Sequence, residues 1–293
     1  MPAVVVIHEP VVGSRPSAEP FRIVPFDEPI VDAMNLGITR GDGIFESVGI
    51  RHGYVHEEEA HLTRFANSAR ILELPAPNAD AYREAVRIGY RALGGGIADA
   101  YAKYVLTRGI EARESDPFGY AFVDVNPDWS RERTQGIRVV TLDRGYPLNV
   151  AQTSPWLLQG AKTLSYAVNR AAIREAARRG ADDVVFTTTD GYALEGPTAT
   201  LILRFGDAFV TPSPDFGVLH GTGQLGAYRW LAALGMRTEY RPVRAEELRQ
   251  ADQMWLVNSQ RLAAPIRALD GEDVTIDRAF TDGMNEYLRD RRS

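Results

Sequence analysis

Gly160-Ala161-Lys162-Thr163-Leu164-Ser165-Tyr166-Ala167-Val168-Asn169 places small residues and then a single amine ahead of a stretch that ends at Gly180. This pattern predicts a strand-to-helix approach, with a helix over residues 164–179. The small neighbours leave room for a bulky group at the Lys162 amine. Lysine is rare here: Lys103 and Lys162 are the only two among 33 Lys and Arg, the other 31 being arginine. A genome that replaces surface lysine by arginine explains the ratio. Under that pressure a surviving lysine marks a place where guanidinium cannot substitute. One such place is covalent, because only an amine that can lose its proton forms a Schiff base. A cation near a helix start also sits badly with the dipole. Lys103, in Tyr101-Ala102-Lys103-Tyr104, reads as an outward lysine on a half-buried strand.

Working outward, residues 44–50, 101–107 and 120–125 predict strands, and residues 57–72 and 79–93 predict helices. Residues 126–136 are polar and aperiodic and suit a linker. Beyond them, residues 137–142, 183–188, 192–194, 201–205 and 254–257 predict strands, with Asp190-Gly191 and Gly206-Asp207 as hairpin signals. A last helix is predicted over residues 223–234. Hairpins followed by helices indicate an α+β organisation: a small domain over 1–125, the linker over 126–136, and a larger domain over 137–293 carrying Lys162.

Three further features could carry chemistry. Glu195, between an apolar strand end and Gly196-Pro197, is either an exposed turn acid or a rigidly held carboxylate. Leu219-His220-Gly221-Thr222-Gly223-Gln224 precedes a helix, so its backbone N–H groups can converge on an anion. Arg64 is either a surface cation or a phosphate ligand. The five histidines show no metal spacing, and no Walker loop or dinucleotide fingerprint occurs. Cysteine is absent, which excludes disulfides, thiolate metal sites and a cysteine nucleophile. With 33 basic and 39 acidic residues, net charge −6, nucleic acid is not the expected partner. No apolar run suits a membrane span, and a cytoplasmic location is expected.

The ordered set Arg40-Gly41-Asp42-Gly43-Ile44-Phe45-Glu46, His61-Leu62-Thr63-Arg64-Phe65, Lys162 to Asn169, Glu175-Ala176, Gly180 to Phe186 and Glu195-Gly196-Pro197-Thr198 resembles the fold-type IV pyridoxal-phosphate enzymes, the class IV aminotransferases. The resemblance spans nearly the whole chain. It implies a two-domain, D-amino acid aminotransferase-like fold with pyridoxal 5′-phosphate (PLP) between the domains, and a homodimer. It also implies that Lys162 forms the internal aldimine and shuttles the proton, while Glu195 keeps the pyridine nitrogen protonated. Arg64 is implied to bind the phosphate, with the backbone of Thr222 and Gly223 and the region of Ser259. Tyr166 is implied to approach the phenolate oxygen. Phe45 would line the substrate side, and Arg108 would meet a substrate carboxylate. Family members usually carry Thr where Gly223 stands, so one phosphate-binding hydroxyl is missing here.

Within the family, residues 162–169 are most similar to actinobacterial 4-amino-4-deoxychorismate lyases, which release pyruvate and 4-aminobenzoate for folate synthesis. Phe45-Glu46-Ser47 instead resembles the aminotransferase version, since some lyases carry Thr at the Glu46 position. Transamination of D-amino or branched-chain amino acids is therefore the alternative. A non-catalytic, PLP-binding protein is the remote one, disfavoured by the presence of both Lys162 and Glu195.

Overall fold

The computed structural model describes residues 1–112 and 116–291. It divides into two compact units: Met1–Pro127 with Ala161–Tyr166, and Asp128–Gly160 with Ala167–Arg291.

In the first unit, β1 (Ala3–Ile7), β2 (Phe21–Val24), β3 (Gly43–Arg51), β4 (Tyr54–Val55), β5 (Asp99–Thr107) and β6 (Phe118–Val125) form an antiparallel sheet in the order β2-β1-β6-β5-β3-β4. Helix α1 (Leu36–Thr39) is capped by the Asn35 side chain. Helix α2 (Glu58–Ile71) packs on β3, and α3 (Ala79–Ala92) packs on β1 and β6. Glu58 and Glu59 in the first turn of α2 complement its dipole. Period-two alternation sends Ala102 and Tyr104 of β5 inward and leaves Lys103 exposed. Tyr104 meets Phe65 edge-on, and Phe65 meets Tyr82, with centroids 5.0 and 4.9 Å apart. This aromatic cluster fixes α2 and α3 over the sheet.

The second unit begins with α4 (Ser130–Gln135), α5 (Val150–Thr153) and α6 (Ala167–Arg178), and continues with α7 (Thr222–Ala233) and α8 (Arg278–Asp290). Its sheet comprises β7 (Ile137–Asp143), β8 (Asp183–Thr187), β9 (Tyr192–Ala193), β10 (Thr200–Phe205), β11 (Ala208–Pro212), β12 (Arg237–Arg241), β13 (Val243–Arg244), β14 (Gln253–Asn258), β15 (Leu262–Leu269) and β16 (Glu272–Asp273). The order is β12-β11-β10-β14-β15-β7-β8-β9-β13, with β16 on β15. The β7–β8, β7–β15 and β11–β12 pairs are parallel, so this sheet is mixed. Leu201 and Leu203 join one apolar cluster and Ile202 joins another, so β10 is buried on both faces and reads as a continuous apolar run.

The sequence expectations need correction in two places. The helix expected from Leu164 starts only at Ala167, because the preceding residues pair with β3. Phe45 N–H donates to the Lys162 carbonyl (3.0 Å), Leu164 N–H donates to the Gly43 carbonyl (2.8 Å), and Thr163 lies opposite Ile44. Backbone groups committed to a neighbouring strand cannot also build a helical turn. Lys162 consequently belongs to the first unit, not to the 137–293 domain. The supposed linker 126–136 also contains α4, where the Asp128 carboxylate accepts from Ser130 N–H and the helix packs on β15.

Candidate active site

Lys162 is pinned through its backbone. Its N–H donates to Ser68 Oγ (3.1 Å) and its carbonyl accepts from Phe45. Its Nζ lies 4.7 Å from the Phe45 ring centroid, and Tyr166 meets the same ring edge-on with centroids 5.4 Å apart. Close approach of this segment explains a glycine of the motif. A Cβ on Gly43 would come within 2.7 Å of both the Leu106 carbonyl and a Leu164 methyl.

Behind this amine lies a buried charged cluster. Glu46, on β3, has no solvent exposure. Its carboxylate accepts two 2.7 Å hydrogen bonds from Arg64 Nε and Nη2, and its Oε2 lies 2.7 Å from His61 Nδ1. Burial alone would raise the Glu46 pKa, but the Arg64 charge, its hydrogen bonds and His61 together hold the carboxyl well below its usual range. Burial dominates at His61 and lowers its pKa. Glu46 opposes that shift, whereas Arg64 and Lys162 add to it. Arg64 thus stands in the same unit as Lys162, held in a fixed orientation by Glu46.

Arg108 is engaged with the protein itself. Its Nε and Nη2 bind Asp42 (2.7 and 3.2 Å), and its Nη2 and Nη1 donate to the carbonyls of Leu72 and Glu73 (2.6 and 3.1 Å). The guanidinium therefore ties the end of β5 to the C-terminus of α2, and all three of its nitrogens already donate to the protein.

The second unit positions the remaining candidates. Glu195 follows the β8–β9 hairpin, with its carbonyl accepting from Phe186 N–H (3.0 Å) and its Oε1 accepting from Leu219 N–H (3.0 Å). Asn169 donates to the Pro197 carbonyl (2.7 Å), tying α6 to the same turn. Glu195 is thus a held carboxylate. Glu175, by contrast, pairs with Arg178 and Arg179 on an exposed surface. At the start of α7, Thr222 Oγ1 and Ser259 Oγ are buried and 3.2 Å apart. A Cβ on Gly223 would meet the Asn258 backbone and a Val257 methyl at 3.2 Å. The missing hydroxyl at this position therefore accompanies a tight approach of α7 to the end of β14.

The sequence reading assigned no role to His61 and Ser68, or to Glu46 beyond its kinship value. A signal existed on α2: His61, Arg64 and Ser68 are spaced i, i+3, i+7 and share one helix face. Leu219 lies in the stretch read as a source of backbone N–H donors, but the anion its N–H meets is the Glu195 carboxylate. Among the described residues no group of three or more His, Asp or Glu could hold a metal ion, and no helix is long and apolar enough to cross a membrane.

PLP requires a nucleophilic amine, a carboxylate for its pyridine nitrogen and an anion cup for its phosphate. The first unit offers an amine at Lys162, and the second, by itself, offers a held carboxylate at Glu195 and buried hydroxyls at Thr222 and Ser259 beside a helix N-terminus; the chemistry of these donors fits the group. Comparison with known proteins agrees. Residues 43–269 match the amino-transferase class IV family. A bifunctional aminodeoxychorismate lyase / D-amino acid transaminase of Mycobacterium tuberculosis is 40% identical over 254 residues, 83% of this chain and 87% of that protein. A fold IV transaminase from Curtobacterium pusillum shares 49% identity and a TM-score of 0.95 over 99% of this chain and 100% of its own. The PLP-bound structure of a hypothetical aminotransferase from Mycobacterium tuberculosis shares 35% identity and a TM-score of 0.88, covering 98% and 97%. The chain belongs to the class IV aminotransferases and is a PLP-dependent enzyme of fold type IV.

Proposed function

We propose that this enzyme transfers the amino group of a D-amino acid to a 2-oxo acid. The observation that carries this reading is the Glu46–Arg64–His61 cluster behind Lys162. Glu at this position resembles the aminotransferase version, and a shorter Thr hydroxyl could not accept from Arg64 twice and from His61 as well. The names of the 40% and 49% identical relatives both include transaminase, one of them for D-amino acids.

When bound, PLP supplies an aldehyde that condenses with amines and a ring that withdraws electrons. Lys162 Nζ would hold that aldehyde, and the same amine, once released, would be the group that moves a proton at the substrate carbon. Glu195, fixed by Leu219 N–H, keeps a proton on the ring nitrogen. Arg64 and the Thr222, Gly223 and Ser259 region would bind the phosphate, and Tyr166 would serve the phenolate oxygen. Phe45 covers the substrate side. Arg108, already committed to Asp42, supports that side through the β5 end.

A second reading, release of pyruvate and 4-aminobenzoate from 4-amino-4-deoxychorismate, is favoured by the lyase half of the mycobacterial relative's name. Homodimeric assembly and a cytoplasmic location complete the proposal, and light scattering tests the dimer. The deciding experiment gives the enzyme D-alanine with 2-oxoglutarate, and separately aminodeoxychorismate, with Lys162→Ala as blank in both. Pyruvate and glutamate from the first mixture alone establish transamination. Equal amounts of 4-aminobenzoate and pyruvate from the second establish the lyase, and product from neither overturns both readings.

A further inference from the structure

The backbone that would receive the phosphate is rich in glycine. Gly221 is the N-cap of α7 and has no side chain to bond the first-turn N–H groups, and Gly223 follows two residues later. Two glycines in three residues leave a loose chain, whereas backbone N–H groups bind one anion well only when they are held in place beforehand. Neighbours supply that order. A Cβ on Gly221 would collide with Thr200 Oγ1, and one on Gly223 would meet the Asn258 backbone at 3.2 Å. Leu219 N–H is fixed on Glu195.

A further hold comes from Tyr240 on β12, whose hydroxyl reaches both sides of this turn. It accepts from the amide of buried Gln224, in the first turn of α7, at 2.8 Å. It lies 3.4 Å from Nε2 of His220, the residue before the cap, and donates to that nitrogen when the ring carries its proton on Nδ1. The two rings also meet edge-on, with centroids 5.7 Å apart. Tyr240 is itself anchored. It lies opposite Thr211 in the β11–β12 pair and packs on Tyr228, one turn after Gln224, at 5.1 Å. The Tyr228 hydroxyl bonds the Phe209 and Glu239 carbonyls at 3.2 and 2.9 Å. We infer that Tyr240 is a positioning residue for phosphate binding: by joining His220 to Gln224 it sets the N–H groups of residues 221–223 between them. The inference rests on the start of α7 being the phosphate site.

The test titrates apoenzyme with PLP and, separately, with pyridoxal, which lacks the phosphate. Tyr240→Phe keeps the ring and removes the hydroxyl. It should raise the Kd for PLP about three- to tenfold, the worth of one hydrogen bond, and leave that for pyridoxal unchanged. Tyr240→Phe also leaves the buried Gln224 amide short of an acceptor, so Gln224→Met combined with Tyr240→Phe is the companion variant. Removing both partners should restore most of the thermal stability that Tyr240→Phe loses, but not the affinity for PLP. Tyr228→Phe, which loosens the same helix without touching the turn, should bind PLP as wild type does. Wild-type PLP affinity in Tyr240→Phe overturns the inference. So does an equal loss for pyridoxal, recovery of affinity in the double variant, or an equal loss in Tyr228→Phe. Thr222→Val combined with Ser259→Ala tests the site itself. Unchanged PLP affinity there would overturn the placement of the phosphate, whereas a loss there with none in Tyr240→Phe would overturn only the role of Tyr240.

Discussion

Arg64 grips Glu46 through two hydrogen bonds of 2.7 Å on a carboxylate that has no solvent exposure. A buried pair of this kind is weak evidence for net stability, yet breaking it from one side leaves an uncompensated charge. Glu46→Gln should therefore lower unfolding stability by about 3–5 kcal/mol in denaturant titration. Arg64→Ala should destabilise the fold comparably and weaken PLP binding by about 1.5–3 kcal/mol, the usual worth of a charge-assisted hydrogen bond. Unchanged PLP affinity in Arg64→Ala would confine Arg64 to holding Glu46.

The same cluster sets a pH dependence. His61 has a folded pKa below its ordinary 6.5, so below that pH the unfolded chain takes up a proton that the folded one refuses. Its contribution is complete above pH 6.5 and is lost as pH falls. Glu46, depressed from 4.5, adds a second loss below that value. Stability should thus be flat from pH 8 to 7 and fall by about 1.4 kcal/mol per unit per group on acidification. His61→Asn retains an N–H donor and should flatten the stretch between pH 6.5 and 5. An unchanged slope there would mean that His61 is not refusing the proton.

Local pattern made much of this protein legible. The periodicities of β3, β5, α2 and α3 place those elements within a residue or two, and Lys162 and Glu195 stand out by composition and local context alone. What escaped was non-local. Residues 164–166 look helical by pattern, but the helix starts only at Ala167 because Lys162 to Leu164 pair with β3, some 120 residues earlier. Arg108 looked available for a substrate because Asp42, its partner, lies 66 positions away. Strand β15 contains Pro265 and small alanines, a composition with little strand character of its own, and is fixed by its neighbours β14 and β7. Glu46, in a strand that also carries Ser47 and Arg51, gains its meaning only from α2.

Gly223 offers a test of packing against ligand chemistry. In a helix, Gly→Ala ordinarily stabilises by roughly 0.5–1 kcal/mol. Here the new Cβ would lie 3.2 Å from the Asn258 backbone and a Val257 methyl, so the cost of overpacking, about 1–3 kcal/mol, should win. Gly223→Ala and Gly223→Thr should both melt lower than wild type, the threonine variant more so. A higher melting temperature in either would show that α7 can move away from β14. A threonine variant that binds PLP more tightly despite melting lower would show that the hydroxyl strengthens phosphate binding once the helix is forced outward.

Glu195 offers the sharpest separation of binding from chemistry. Its Oε1 accepts from Leu219 N–H, a donor that must keep an oxygen as partner. In Glu195→Gln the amide oxygen should therefore turn to Leu219, leaving the NH2 group to face the ring nitrogen. An NH2 group is a donor, so it pairs with an unprotonated nitrogen and removes the ring's capacity to draw electrons. The variant should keep PLP through gel filtration, because Lys162 and the phosphate ligands are untouched. Its kcat should fall by roughly a hundredfold or more, with KM little changed, since the lost interaction matters most as charge develops on the ring. Undiminished turnover in a PLP-loaded variant would remove Glu195 from the chemistry and leave it as a support for the loop that leads into α7.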